Sequence, residues 1–285
     1  MNEMLTPKES NVYSKWIYPP TYDSFGVAHS YEHFDFYKHT IPLGFPSPKV
    51  PFVKTFVPFV QTFVPFVVKI IILFSFSLPI FCQQLDWDKH LKDMGFVNIQ
   101  DLDPTIQVHL IYATASNFMN KPVYENITKA WLHPDAAQKL IQAQRNLKRE
   151  HPSYSLLVYD AARPMEVQRQ MWELVRGTPY VYYVSNPINQ NGRHNYGMAV
   201  DITIVDTNGQ PLPMGTPIDF FGEEAHTDQE PALVKAGKIT ANEYQNRRLL
   251  RRIMQQSGFS SVTSEWWHFN ACSAEVAKAK YKIIE

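Results

Sequence analysis

A strand that carries one carboxylate constrains this chain more than any other stretch. Met198 to Val205 reads Met-Ala-Val-Asp-Ile-Thr-Ile-Val, a β-branched run whose period of two sets Met198, Val200, Ile202 and Ile204 on one face. Asp201 falls on the other face, beside Ala199 and Thr203, and so sits on a rigid element. The preceding segment, Gly192-Arg193-His194-Asn195-Tyr196-Gly197, brackets an imidazole with glycines. Gly197 can take backbone angles closed to other residues, which lets the chain curl and bring His194 toward Asp201.

Near the C-terminus Glu265-Trp266-Trp267-His268 supplies a second imidazole and a second carboxylate. A catalytic zinc takes three protein ligands and keeps a fourth position for water, so one of the four groups is spare. Strict strand alternation would put Glu265 and His268 on opposite faces, because their separation is odd; a bulge or turn must lie between them if both serve one cavity. Chemistry divides the roles. Neutral imidazole is a common zinc ligand, and a carboxylate beside the attacking water can take its proton. His194, Asp201 and His268 are therefore the expected ligands of one zinc ion, and Glu265 the expected general base. Each has an ordinary reading when taken singly: a loop histidine is usually a surface or capped residue, and an aspartate can simply bond a neighbouring loop. The joint occurrence of Gly-x-His-x-x-Gly-x-Ala-x-Asp and Glu-Trp-Trp-His carries the inference. At least one of the two tryptophans is expected to be a core aromatic.

With Asp160-Ala161-Ala162-Arg163-Pro164 upstream, these motifs resemble the D-alanyl-D-alanine dipeptidases of a zinc peptidase family. The likeness continues in order through Tyr112-Ala113-Thr114, Asn117-Phe118, Lys121-Pro122-Val123, Pro213-Met214-Gly215 with Asp219-Phe220, and Asn246-Arg247-Arg248 to Ser257-Gly258-Phe259. It covers the chain after residue 83. The resemblance implies zinc on His194, Asp201 and His268, a base at Glu265, an Arg163 that steadies the polarised carbonyl, and a pocket wall at Tyr112 and Phe118. Asp219, in a polar loop running to Asp228, is a further candidate for the substrate pocket, and His226 in the same loop a further candidate ligand. Arg163 also has an ordinary role open to it, as ion-pair partner of Asp160 at a helix start, although a fixed guanidinium suits developing negative charge.

The implied reaction is hydrolysis of D-alanyl-D-alanine in cell-wall peptide turnover. Two readings compete with it: a carboxypeptidase or endopeptidase acting on longer wall peptides, and a zinc-binding protein without turnover. One departure bears on the substrate. The family motif usually begins Ser-x-His, whereas Gly192 holds the serine position here and Arg193 replaces a small polar residue. A weakened preference for the dipeptide follows, with Gly192→Ser expected to sharpen it.

The chain has 285 residues, 45% of them hydrophobic, and formal net charge +0, which gives no reason to expect nucleic acid as a partner. Residues 1–49 show no helical or strand period. Val50-Pro51-Phe52-Val53-Lys54-Thr55-Phe56 then recurs at Val57 and restarts at Val64, and a proline in every unit excludes a coiled coil. Lys69, the apolar run Ile70 to Phe81 and Cys82 together read as a secretory signal, too short for a spanning helix of about 20 residues. Residues 1–67 are thus expected to be an extension outside the catalytic domain, with translation starting near Val68, residues 68–82 a signal, and 83–285 a single exported domain, periplasmic or secreted, without a membrane span.

Within that domain the expected class is α+β, a small and largely antiparallel sheet carrying the zinc site with helices around it. Helices are expected at Asp86–Met94, Pro134–Lys148, from Pro164 to Gly177, and from the capping box Thr240-Ala241-Asn242-Glu243 to Ser257. Strands are expected at Ile106–Ile111 and Ser155–Tyr159. The arginines at 247, 248, 251 and 252 read as a solvated or ion-paired face, and Cys272 as a buried small residue.

Overall fold

The structure, a computed structural model, describes residues 85–285. The expected extension, its heptads and the signal segment lie outside the described residues. The chain runs α1 (Trp87–Asp93), β1 (Val97–Asn98), α2 (Ile99–Leu102), β2 (Gln107–Val108), β3 (Trp131–Leu132), α3 (Pro134–Glu150), β4 (Ser155–Asp160) and α4 (Met165–Val175). It continues through β5 (Ala199–Val205), α5 (Glu230–Lys235), α6 (Ala241–Gln256), β6 (Ser260–Ser261), β7 (His268–Asn270) and α7 (Ala274–Lys280). Five strands form one sheet in the order β2-β4-β5-β7-β6; β2 is parallel to β4 and every other pairing is antiparallel. β1 and β3 make a separate antiparallel pair. The class is α+β, as the alternation of long apolar strands and capped helices implies.

β5 is buried on both faces, and the face that joins the main hydrophobic core is the one the period of two selects. Val200, Ile202 and Ile204 of β5, Leu156 and Val158 of β4 and Phe269 of β7 are all excluded from water. Against it packs α3, which starts on Pro134, where a missing N–H is harmless, and presents Ala136, Ala137, Leu140 and Leu147 inward. At an order of 1.5–3 kcal/mol for each large side chain buried, this interface fixes the sheet more firmly than any hydrogen bond at its rim. The capping box forms as expected: Thr240 Oγ1 accepts from Glu243 N and Glu243 Oε2 accepts from Thr240 N.

Three expectations need correction. The strand after Ile106 is only two residues long, because β2 is an edge strand that leaves β4 once His109 N–H has bonded Val158 O. The chain then curls into a 3-10 turn, Ile111–Ala113, which buries Ile111 and Tyr112. Arg247 is not on a solvated face. It is buried, donating through Nε to Met214 O, lying over the Trp266 ring and 3.9 Å from Glu230 Oε1, a carboxylate it shares with Arg251, while Arg252 pairs with Glu150, so the ion-paired part of the expectation holds. Cys272 is half-buried rather than enclosed. Among the described residues no helix is long and apolar enough to cross a membrane.

Gly197 is where the curl before β5 is made. Its φ is +60°, and a Cβ there would strike the Phe96 ring and come within 2.9 Å of the His133 amide nitrogen. Gly95 also has positive φ, at +90°, but faces open space. Gly95→Ala should therefore cost about 1–2 kcal/mol from backbone strain alone, and Gly197→Ala about 3 kcal/mol or more from strain and collision together. Chemical denaturation of the two variants tests this; equal losses would show that the contact with Phe96 yields freely.

Candidate active site

The sheet register builds the site. Asp201, in the middle strand, is paired with His268 of β7 on one side and with Asp160 of β4 on the other, so three functional side chains stand in a row across three strands. A bulge makes the row possible. Val158 opposes Ile202, and regular pairing would then put Tyr159 opposite Asp201; one extra residue in β4 brings Asp160 there instead. His194 comes from the turn Arg193–Tyr196, closed by Gly197 N–H to His194 O and by Met198 N–H to Arg193 O. The bend expected between Glu265 and His268 is present at Trp266 and Trp267, ahead of β7. Both tryptophans are buried; Trp266 Nε1–H donates to Thr216 Oγ1.

His194 Nε2, His268 Nδ1 and Asp201 Oδ1 meet at one point. The edges of the triangle are 3.2 Å between the two nitrogens, 3.3 Å from His194 to Asp201 and 3.0 Å from His268 to Asp201. The outer ring nitrogens identify the tautomers. His194 Nδ1 lies 2.7 Å from Ala161 O, which can only accept, so Nδ1 carries the proton. His268 Nε2 lies 2.9 Å from Asn270 Oδ1, and Arg193 Nε, which can only donate, reaches the same atom at 2.7 Å. That contact fixes the amide orientation of Asn270 and places the second proton on His268 Nε2. In the neutral imidazoles both inner nitrogens then present lone pairs, and with the Asp201 oxygen they make three acceptors facing one another. Such an arrangement repels unless a cation sits at its centre. These three residues can hold a metal ion.

Beside the triangle lies a cavity of 160 Å³. Glu265 lines it, with Oε2 3.9 Å from His268 Nδ1, and burial pushes its carboxyl up to about 7 against the opposing pull of His268. Arg163 lines it too. The ordinary reading of this residue is met, and the same contacts hold it at the cavity wall: its Nε and one terminal nitrogen bond Asp160 Oδ2 at 3.0 and 2.6 Å, the other terminal nitrogen bonds Gln168 Oε1 at 2.9 Å, and the guanidinium lies 3.6 Å from Asp201 Oδ2. Tyr112 lies under this guanidinium, and its hydroxyl donates to Asp219 Oδ1 at 3.0 Å. Phe118 N–H approaches the other oxygen of Asp219 at 3.4 Å. Burial, aided by the charge of Asp201, lifts the Asp219 carboxyl to about 7.

Apart from His226, the site residues expected from the sequence border this cavity. His226 does not join the metal group; its Nε2 is 3.0 Å from the Tyr183 hydroxyl, to which it belongs. Gly192 also differs from expectation. A Cβ at this position would lie 2.5 Å from Asn195 Oδ1, and Asn195 is buried with its amide donating to Arg163 O. Gly192→Ser would press on the support of Arg163, so the substitution should not sharpen specificity simply by adding a hydroxyl. Sequence reading also missed Asn270 and the aromatic wall of Tyr183 and Phe221, stacked at 4.9 Å. Asn270 stands two positions after His268 on the same strand face, a spacing that was open to inspection. The wall residues lie far apart in sequence and carry no pattern.

The sheet brings two imidazoles, a carboxylate, a spare half-buried carboxylate and a fixed guanidinium to one small cavity, and comparison with known proteins identifies the chain as a peptidase. Residues 92–284 match the D-ala-D-ala dipeptidase family of M15 peptidases. The D-alanyl-D-alanine dipeptidase of Escherichia coli (strain K12) is 32% identical over 188 residues, 66% of this chain and 88% of that protein. The protein of the same name from Enterococcus faecium is 30% identical over 195 residues, 62% of this chain and 91% of that protein. A solved LdcB LD-carboxypeptidase aligns with 52% of this chain and 63% of its own at 16% identity and a TM-score of 0.31, too low to carry an argument. The chain belongs to the D-ala-D-ala dipeptidase family.

Replacing His194, Asp201 or His268 by alanine should strip the bound metal, since three ligands leave no redundancy. Asn270→Ala should leave the metal in place at an affinity lower by about 10–100-fold, because it frees only the outer nitrogen of one ligand. Metal analysis after dialysis against graded chelator separates the cases. Full occupancy in any of the first three would remove that residue from the centre.

Proposed function

We propose that this protein is a zinc-dependent dipeptidase that hydrolyses D-alanyl-D-alanine. The observation that carries the proposal is the inward-facing triangle of acceptors beside a carboxylate that is not part of it. Tetrahedral zinc with bonds of about 2.0–2.2 Å to nitrogen and oxygen needs its donors about 3.3–3.6 Å apart. The separations of 3.0, 3.2 and 3.3 Å are slightly short of this, so His194, Asp201 and His268 would hold zinc with only a small outward adjustment. When bound there, zinc supplies Lewis acidity to the scissile carbonyl and to water.

The residues of the chain do the rest. Glu265, which lines the cavity beside His268, takes the proton of the attacking water and passes it to the leaving amine. Arg163, already oriented by Asp160 and Gln168, donates to the carbonyl oxygen as it gains negative charge, with no reorganisation needed at that moment. Asp219, held by Tyr112 and Phe118 N–H, receives the substrate's ammonium, whose charge favours the ionised carboxylate. Tyr183, Phe221 and Phe118 enclose the small side chains. The cavity, at 160 Å³, is below the roughly 300–1,000 Å³ usual for drug-sized ligands, which favours a dipeptide over a long wall peptide. The reading puts the reaction in cell-wall peptide turnover, outside the cytoplasm.

Glu265→Gln should keep its zinc and lose kcat by about 10²–10⁴-fold; near-normal turnover would show that another group moves the proton. Zinc-loaded protein should cleave free D-alanyl-D-alanine well ahead of its N-acetyl form and of a wall pentapeptide. If the N-acetylated dipeptide is cleaved as well as the free one, Asp219 recognises no amine and a carboxypeptidase is the better description.

A further inference from the structure

Two guanidinium groups line the cavity, and only one of them is neutralised by the protein. Arg163 is in ionic contact with both Asp160 and Asp201. Arg193 is half-buried, and its partners are neutral: Nε donates to Asn270 Oδ1 at 2.7 Å and one terminal nitrogen donates to Asn191 O at 2.6 Å. Among the described residues no carboxylate forms an ion pair with it, and its second terminal nitrogen takes no protein acceptor. Burial works against its charge, offset only in part by Cys272, Glu275 and Glu265. A cation kept in a cavity under those terms is stabilised by a ligand that brings an anion.

The contacts also say which end of a substrate that is. Asp219 bonds Tyr112, Tyr112 lies beneath Arg163, Arg163 touches Asp201, Asp201 meets His268, and His268 bonds the Asn270 oxygen that Arg193 shares. The acidic group and the free cation therefore terminate opposite ends of one string of contacts, with the acceptor triangle between them. A zwitterionic dipeptide has this polarity, and its C-terminal carboxylate lies about one residue length, roughly 3.6 Å, from the bond to be broken. Gly192 borders the same space without a side chain, with Ser185 beside it, so the Arg193 guanidinium is the cationic side chain this stretch of wall offers a carboxylate.

We propose that Arg193 binds the free C-terminal carboxylate of the substrate and so makes this enzyme demand an unblocked C-terminal residue. The inference rests on the peptidase reading above. It names the side chain that separates an exopeptidase from an endopeptidase, since an internal bond offers no carboxylate at that distance.

The test compares wild type, Arg193→Gln and Arg193→Lys, each with zinc content measured, on D-alanyl-D-alanine and on the same dipeptide with a C-terminal amide. Wild type should prefer the free acid by at least about tenfold. Arg193→Gln should lose about 10–100-fold in kcat/KM on the acid, chiefly through KM, as befits a lost charge-assisted pair, and little on the amide. Arg193→Lys, which keeps the charge, should fall between the two, and all three proteins should hold equal zinc. Equal losses on acid and amide, or a loss of zinc, would mean that Arg193 only props Asn270 and His268, and would overturn the assignment. Wild-type protein that turns over neither substrate would instead sink the dipeptidase reading, and this assignment with it.

Discussion

Mutual repulsion at the centre of the sheet is the constraint that the rest of the structure answers. Two neutral imidazole nitrogens and a carboxylate oxygen within 3.0–3.3 Å of one another would drift apart on flexible supports. Here each is fixed from behind. His194 is tied to Ala161 O, His268 to Asn270 Oδ1, and Asp201 stands on the central strand of a sheet whose other face is packed against α3. Rigid convergence of this kind is destabilising for the protein alone and favourable once a cation occupies the centre, which is how folding energy is converted into metal affinity.

Around the triangle the charges are sorted by whether the protein itself satisfies them. Asp160 is fully buried yet supplied with partners on both oxygens, from Tyr124 and from Arg163, so it acts as a fixed orienting group. Glu265, Asp219 and Arg193 are left short of full compensation, and all three face the cavity. Groups whose burial is uncompensated in the protein gain most when substrate or metal arrives, and such groups concentrate where chemistry is done. The bulge in β4 is the device that makes this sorting possible, because it turns Asp160 onto the face of Asp201 and lets a helix-start arginine reach the same space.

Much of this could be read before any coordinates. The alternation at Met198–Val205 selected the face that joins the hydrophobic core, the glycine bracket announced the curl that delivers His194, and the odd spacing of Glu265 and His268 required the bend found at the two tryptophans. Each of those is a local rule with a local cause. The bulge between Val158 and Asp160 was not legible, since it depends on pairing with β5. Nor was the burial of Arg247, where helical position alone gives no sign that Met214 O and the Trp266 ring wait on the other side. The Arg193 to Asn270 contact joins residues 77 positions apart, and the loss of serine at Gly192 looked like a missing hydroxyl until the nearness of Asn195 showed that the backbone is packed for glycine.

The central claim is that the His194, Asp201 and His268 triangle is a zinc centre made of nitrogen and oxygen ligands. X-ray absorption on protein reconstituted with zinc, with the stoichiometry measured on the same sample, addresses it directly. The account predicts one zinc per chain, a first shell of nitrogen and oxygen at about 2.0–2.2 Å, and the outer-shell scattering of two imidazoles. A sulfur in the first shell, a single imidazole, or no stoichiometric zinc would contradict it.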